Sequence, residues 1–298
     1  MEYSLGFVLA LLGAASLAGF FGALLGVGGG VFIVPVMVLM FHLPIKVAVA
    51  ASIVSVIATS NAGGSSYVDQ RITNLKLAMF LEIATTIGAL SGALLALYLQ
   101  QWAMLIIFAF LLAYMSYAAF VTRNLDDQKI AAGGFANAKQ DGLSRYLDLH
   151  GSYYDVAAER NVEYVVNGVP TGATLSYLAG LASGMLGVGG GVLKVSAMNR
   201  YMNVPMKVAV GTSKLMIGVT AAVSSILFFL AGLIHFSVVA PVALGTTIGA
   251  TIGTTVMNRL HSAKLKWIFT LLMAYLAYGM LAKGLALRFG IHLPNLGA

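Results

Sequence analysis

The sequence predicts an all-α, polytopic membrane protein. Two homologous repeats of inverted topology, each with broken or re-entrant helices, are joined by a polar cytoplasmic insert. Three observations lead there: a very apolar composition, an ungapped internal duplication, and opposite charge bias in equivalent loops of the two halves. Of 298 residues, 59% are hydrophobic and 9% charged, and the mean hydropathy is +0.91. Soluble domains carry about 25% charged residues, so the charges are too few to clothe a soluble enzyme. The 17 basic residues against 10 acidic ones give +7. That balance could suit nucleic acid, but the basic residues form no dense stripe and most lie between apolar runs, so no nucleic-acid partner is expected. The absence of Cys excludes disulfides, thiolate metal ligands and Cys nucleophiles.

The duplication is direct. Gly26-Val-Gly-Gly-Gly-Val31 recurs as Gly187-Val-Gly-Gly-Gly-Val192, an offset of 161. Without a gap, the same offset maps Pro44 to Pro205, Lys46 to Lys207, Ser52 to Ser213, Gly88 to Gly249, Gly92 to Gly253 and Tyr114 to Tyr275. The expected division is a first membrane repeat over 1–121, a polar linker over 122–172 and a second repeat over 173–298. The stretch Thr122–Gly172 holds seven acidic and five basic residues, net −2, leaving 12 basic against 3 acidic, net +9, in the apolar regions. The membrane-embedded part is the basic part, and its cations need a reason.

In the first half the apolar segments are Ser4–Leu25, Val31–Leu43, Val47–Val68, Leu75–Leu99 and Ala103–Val121. The first, fourth and fifth are long enough for a hydrocarbon core, which needs about 20 residues. The first is not expected to be a cleavable signal, because it lacks a basic start and runs into the repeated motif. The second segment is short, bounded by the glycine run and by Pro44. With the third it reads as a broken or re-entrant pair tipped at His42–Lys46. Short, Gly- or Pro-interrupted segments at matching places in two halves point to a transporter binding site. The loop with Arg71 and Lys76 matches Gly232–Ser237, which has no Lys or Arg, whereas Gln100-Gln101 matches the stretch with Arg259, Lys264 and Lys266. Under the positive-inside rule the halves then run in opposite senses, with the insert cytoplasmic and both termini outside. Lys283 and Arg288 weigh against that orientation.

Candidate chemistry gathers at the breaks. Pro44-Ile-Lys46 and Pro205-Met-Lys207 each open a helix, where unpaired N–H groups and the positive dipole end favour an anion. A lysine there opposes the dipole, and near mid-membrane costs about 2.5–3.5 kcal/mol on insertion scales. A bound anion would offset both penalties; lysines at the interface would simply snorkel. The candidate anion site comprises Lys46, Lys207, Thr212, Ser213 and Ser52, with His42 and Asn203 at the tips. Gly28, Gly29, Gly189 and Gly190 join it as loops that could present N–H groups or merely let helices pack. Lys194 and Lys214 have Ile33 and Ile53 as counterparts. They suit an asymmetric ligand path, or pairing with Glu82 across the bundle. Glu82, His42, His235 and Asp69 are the candidates for carrying a proton, Glu82 being well inside a predicted span. The pairs Gly88/Gly92, Gly180/Gly184 and Gly249/Gly253 read as helix packing. No metal-ligand or nucleophile-base spacing is present, so neither enzymatic activity nor a cofactor is expected. In the insert, Tyr153–Asp155 and Glu163–Val166 around Asn167-Gly168 could form a hairpin.

These residues resemble a known family. Gly26-Val-Gly-Gly-Gly30 with Pro35, Pro44 and Ala51-Ser52, and Gly187-Val-Gly-Gly-Gly191 with Pro205 and Gly211-Thr-Ser213, look like the duplicated motif of the TauE/SafE sulfite-exporter family. Gly151-Ser-Tyr-Tyr-Asp155 resembles one subgroup of it. Ala51-Ser52 lacks the fuller Gly-Thr-Ser, and Ser196 stands where the family has proline. The resemblance implies a prokaryotic inner-membrane protein that moves sulfite, sulfonates or related anions with the proton gradient. The expectation is therefore a secondary transporter, an exporter of small sulfur-containing anions. A passive anion channel, or a membrane-anchored interaction protein acting through 122–172, are the alternatives. Its partners would be a small anionic substrate and the lipid bilayer, a homo-oligomer being left open.

Overall fold

A computed structural model of the chain describes residues 4–24, 29–69, 72–121, 135, 140–155, 160–257 and 262–291. The first apolar region folds into α1 (Leu5–Leu24), α2 (Gly30–Leu39), α3 (Ile45–Asp69), α4 (Leu75–Tyr98) and α5 (Gln101–Val121). The insert carries α6 (Gly142–Tyr146), β1 (His150–Asp155) and β2 (Arg160–Val165). After it come α7 (Val169–Leu186), α8 (Gly191–Tyr201), α9 (Met206–Leu230), α10 (Phe236–Met257) and α11 (Ser262–Phe289). Helices α2 to α5 begin at 30, 45, 75 and 101, and α8 to α11 at 191, 206, 236 and 262, each 161 residues further on. Among the described residues five stretches, Leu5–Ala23, Leu75–Tyr98, Met206–Leu230, Phe236–Thr255 and Thr270–Phe289, are long and apolar enough to cross a membrane. On α4 the residues Met79, Ile83, Ile87, Leu90 and Leu94 form an exposed apolar stripe, and Leu244, Ile248 and Ile252 do so on α10. Such stripes suit lipid rather than water.

The sequence reading joined Val31–Leu43 to Val47–Val68, and each short helix packs on both of its sequence neighbours, α2 on α1 and α3, α8 on α7 and α9. α2 runs back along α1. Phe41 meets Phe7 edge-on with ring centroids 5.4 Å apart, and a Cβ on Gly29 would touch the Cα of Gly19. Helix α8 returns along α7 in the same manner: Asn167 N–H donates to the Met202 carbonyl at 3.1 Å, and a Cβ on Gly190 would press on the Ala179 carbonyl. With 10 and 11 residues, α2 and α8 reach only about 15–17 Å, whereas α3 and α9, 25 residues each, reach about 37 Å. The second reversal occurs where Gly187, Gly189 and Gly190 have φ of +70°, +75° and +66°, values open to glycine at little cost.

The helix contacts are exchanged between the two regions. α1 packs on α10 and α7 on α4, while α3 packs on α9 and α5 on α11. At the α4–α7 crossing Gly88, Gly92, Gly180 and Gly184 bring backbone against backbone, so that a Cβ on any of them would fall inside a facing carbonyl. Gly19, Gly249 and Gly253 do the same between α1 and α10. Small residues allow this close approach where lipid removes the hydrophobic drive for association.

The two tips lie at opposite ends of the bundle. The tip between α8 and α9 meets the insert, where Asn203 (φ +56°) donates from Nδ2 to the carbonyls of Phe135 at 3.0 Å and Val165 at 3.1 Å. The start of α4 is at that same end: Asn74 Oδ1 accepts the Leu77 N–H at 3.0 Å, its Nδ2 donates to the Tyr164 hydroxyl at 3.0 Å, and Lys76 pairs with Asp148 at 2.7 Å. The tip between α2 and α3 is at the far end, where Lys46 Nζ donates to the Leu97 carbonyl in the last turn of α4 at 2.6 Å.

The insert is docked rather than loose. Tyr153, Val162, Tyr164 and Val166 are buried with Leu77, Leu81, Met198, Met202 and Val208. Burial pushes the Tyr164 phenol up, and the hydrogen bond from Lys76 holds the exposed Asp148 carboxyl below its ordinary value. The expected hairpin forms with other bounds. β1 pairs antiparallel with β2, Tyr153 opposite Val162 and Asp155 opposite Arg160. Asn167-Gly168 is not its turn, because Gly168 (φ +61°) caps the start of α7. Helix α7 therefore takes in Val169–Gly172, which the 122–172 boundary had given to the insert. Asn203→Ala removes two hydrogen bonds and the amide that helps Asn tolerate the left-handed region, a loss of about 1–3 kcal/mol. Lower thermal stability and faster proteolysis within the insert should report it, and Asn203→Gly should lose less.

Candidate functional site

The deep ends of the two short helices meet. Gly29 and Gly30 at the start of α2, and Gly187 through Gly191 leading into α8, are all buried. A Cβ on Gly30 would lie 2.6 Å from the Gly187 carbonyl and 2.9 Å from Ser52 Oγ. Ser52 Oγ donates to the Gly187 carbonyl at 2.7 Å and lies 3.4 Å from that of Gly30. Its counterpart Ser213 Oγ lies 3.4 Å from the Gly191 carbonyl. The first-turn N–H groups of a helix have no intrahelical acceptor and form the positive end of its dipole. Two such ends therefore converge inside the bundle. Gly28 lies outside the described residues.

Lys194 projects from the first turn of α8 and is 0% exposed. Its Nζ donates to Thr220 Oγ1 on α9 at 2.9 Å. Thr220 Oγ1 is 2.8 Å from Glu82 Oε1 on α4 and 2.8 Å from the Met216 carbonyl, so its single proton can serve either. Thr86 Oγ1 donates to the same Glu82 oxygen at 3.1 Å. Glu82 Oε2 is buried with no hydrogen-bond partner among the described residues. Lys194 and Glu82 are 112 positions apart in sequence, yet one threonine hydroxyl links them. Three helices supply the chain, and α8 brings with it an N-terminus that already favours negative charge.

The remaining candidates are dispersed. Lys46 sits on the α4 C-terminal carbonyls, the negative end of that dipole. Lys283 does the same for α2, its Nζ donating to the Val38 carbonyl at 2.6 Å, and Arg288 lies over the Trp102 ring at 5.3 Å. These basic residues near the C-terminus thus have local structural partners. Lys207 is exposed beside the second tip, away from the buried chain. Thr212 is buried and accepts the Asn74 N–H at 3.1 Å; Lys214 is partly buried. His42 (φ +54°) is exposed at the first tip. His235 is exposed before α10, where its carbonyl accepts the N–H groups of Val238 and Val239. The Asp69 side chain lies outside the described residues.

Thr220 and Thr86 stand outside the anion and proton candidates drawn from the sequence. The available signal was subtractive. The offset that maps Thr220 onto Thr59 and Thr86 onto Thr247 maps Lys194 onto Ile33 and Glu82 onto Ala243. The hydroxyls are duplicated and the charges are not.

The model of the family described as sulfite exporter TauE/SafE matches residues 11–280. Probable membrane transporter protein YunE of Bacillus subtilis (strain 168) is 21% identical over 285 residues, 93% of this chain and 98% of the relative. Probable membrane transporter protein YdhB of the same organism is 23% identical, covering 87% of this chain and 91% of the relative. A probable membrane transporter protein of Xylella fastidiosa (strain Temecula1 / ATCC 700964) is 23% identical over 86% of this chain and 87% of its own length. No solved structure matches the chain.

Proposed function

The chain belongs to the sulfite exporter TauE/SafE family of membrane transporters, and we propose that it exports a small sulfur-containing anion, with proton coupling, through one site beside Lys194. As a membrane transporter it is an integral protein of the bilayer, and its family is not an enzyme family. The observation that carries the reading is Lys194: a fully buried ammonium in the first turn of a buried helix, where the dipole opposes it. Glu82 neutralises one unit of charge, and the two converging helix ends leave a positive excess. A sulfite or sulfonate head, an oxyanion with several acceptors, fits backbone N–H groups, an ammonium and hydroxyls together. Ser52 and Ser213 stand at the glycine runs that open α2 and α8.

The arrangement also favours inverted membrane modules over 1–121 and 173–298. Helix starts recur at one offset, first and fourth helices exchange partners, and the two tips lie at opposite ends. With Lys76 and the insert at one end, the positive-inside rule makes that end cytoplasmic and the N-terminal end external. The family points to the inner membrane. The anion site moves inward from the tips, because Lys46 already satisfies a helix C-terminus. Lys46→Met should lower stability by about 0.5–1 kcal/mol, read as a small fall in melting temperature, and leave transport within a few-fold of wild type.

Uptake of labelled sulfite, thiosulfate and methanesulfonate into proteoliposomes tests the transporter reading. Saturable flux with counter-exchange for at least one of them is expected. Flux that neither saturates nor exchanges would make the protein a passive anion channel instead.

A further inference from the structure

We propose that anion binding and protonation of Glu82 are linked, so that anion and proton cross the membrane in the same direction through one site per chain. The inference rests on the reading of the α8 N-terminus as the anion site. One cation serves two negative groups there. As a carboxylate, Glu82 draws Lys194 to itself through Thr220, at 2.9 and 2.8 Å. An anion at the first turn of α8 needs the same ammonium.

Among the described residues, no second cation acts on Glu82. The elements packed around Glu82 carry Lys194 and Arg200 on α8, Lys207 and Lys214 on α9, Tyr177 on α7 and Lys76 on α4 itself. Arg200, Lys207 and Lys76 are exposed towards the insert end. Among the described residues, Lys194 is the charged group that acts electrostatically on Glu82. The insert's Asp148 is engaged with Lys76, and its Tyr164 with Asn74.

A proton on Glu82 Oε2, the buried oxygen without a hydrogen-bond partner among the described residues, removes the competition. Lys194 is then free to face the anion, and the new O–H can donate to an oxyanion oxygen. The proton bound on one side leaves with the anion on the other. The counterpart positions hold Ile33 and Ala243, so the other half has no equivalent carrier. A monovalent anion would leave as an electroneutral pair with its proton, so its own gradient would drive export, membrane potential would have no effect and an outside-acid pH gradient would oppose it.

The test uses methanesulfonate and thiosulfate, whose charge does not change across the neutral pH range, with the full chain in proteoliposomes containing a trapped pH dye. The half-saturating concentration for the wild type should fall by up to about tenfold per pH unit as pH drops through the titration of Glu82. Anion entry should acidify the lumen by one proton per anion. In Glu82→Gln, which mimics the protonated carboxyl, affinity should stay at the low-pH wild-type level at every pH. Exchange should persist in that variant and lumen acidification should vanish. Saturable wild-type uptake with pH-independent affinity, or with lumen alkalinisation, overturns the coupling and leaves the anion site standing. Weaker binding by a folded Glu82→Gln also overturns it. No saturable uptake of either anion by the wild type overturns the anion-site reading, and the coupling with it. Should Glu82→Gln fail to fold, the wild-type affinity profile and proton count still decide the matter.

Discussion

Lys194→Met should abolish saturable anion transport. Losing one partner of a desolvated charge contact costs about 2–5 kcal/mol, equivalent to a fall in affinity of about 30-fold to more than 1,000-fold. The same change leaves Glu82 buried beside Thr220 without its ammonium, and breaking a buried pair costs about 3–5 kcal/mol of stability. Lost transport from the single variant would therefore be ambiguous, and Lys194→Met with Glu82→Gln resolves it. The double variant has no unpaired buried charge, so its melting temperature should return towards that of the wild type. Its transport should stay lost, because the ammonium is still missing. Recovery of both stability and flux would show that Lys194 serves the fold alone. The matched Ile33→Met on α2 should change neither, since Ile33 is a buried apolar residue and the swap nearly conserves volume.

The membrane class and the helix boundaries were legible because they depend on local sequence. Apolar runs bounded by Pro44 and Pro205 set where helices begin, and the duplication at offset 161 reproduces the same starts in both halves. The contact of α2 with α1 was not legible. Its ten residues pack on α1 as well as on α3, and periodicity carries no sign of which neighbours a short helix takes. The surroundings of the lysines were not legible for a related reason. Lys46 and Lys207 drew attention because they are duplicated, but a duplicated cation can answer a duplicated structural need, and Lys46 answers the end of α4. Lys194 and Glu82 lie in different halves, and their meeting depends on α4 packing against α9 while α8 folds back along α7. Their one-dimensional trace is that each lacks its duplicate, which becomes informative only once the duplicated hydroxyls Thr59 and Thr220 are seen to be structurally shared. The insert's hairpin was foreseen as a motif and missed in register, since Asn167-Gly168 has the residues of a two-residue turn but serves as a helix cap.

Gly88→Leu and Gly249→Leu should be equally destructive, each preventing recovery of monodisperse, cooperatively unfolding protein. Overpacking costs about 1–3 kcal/mol where side chains can yield. Here the obstacle is backbone, the Tyr177 carbonyl facing Gly88 and the Ser16 carbonyl facing Gly249, so the cost should exceed about 3 kcal/mol. Gly13→Leu is the control on α1: a Cβ there meets nothing within 4 Å, and the added side chain should leave the melting temperature within a few degrees. Equal damage at Gly88 and Gly249 follows from the exchange of partners, because each of these helices is held by the opposite region and neither region can pack alone. The charged positions obey no such symmetry. Substitutions at Lys194 and Ile33, separated by the same offset as Gly88 and Gly249, should give unequal results in transport. If Gly88→Leu were tolerated while Gly249→Leu were not, the two crossings would differ in kind and the exchanged packing would be wrong. If both glycine variants fail and only Lys194 among the matched pair matters for flux, the duplicated part of the chain is the frame and the unduplicated charge is the mechanism.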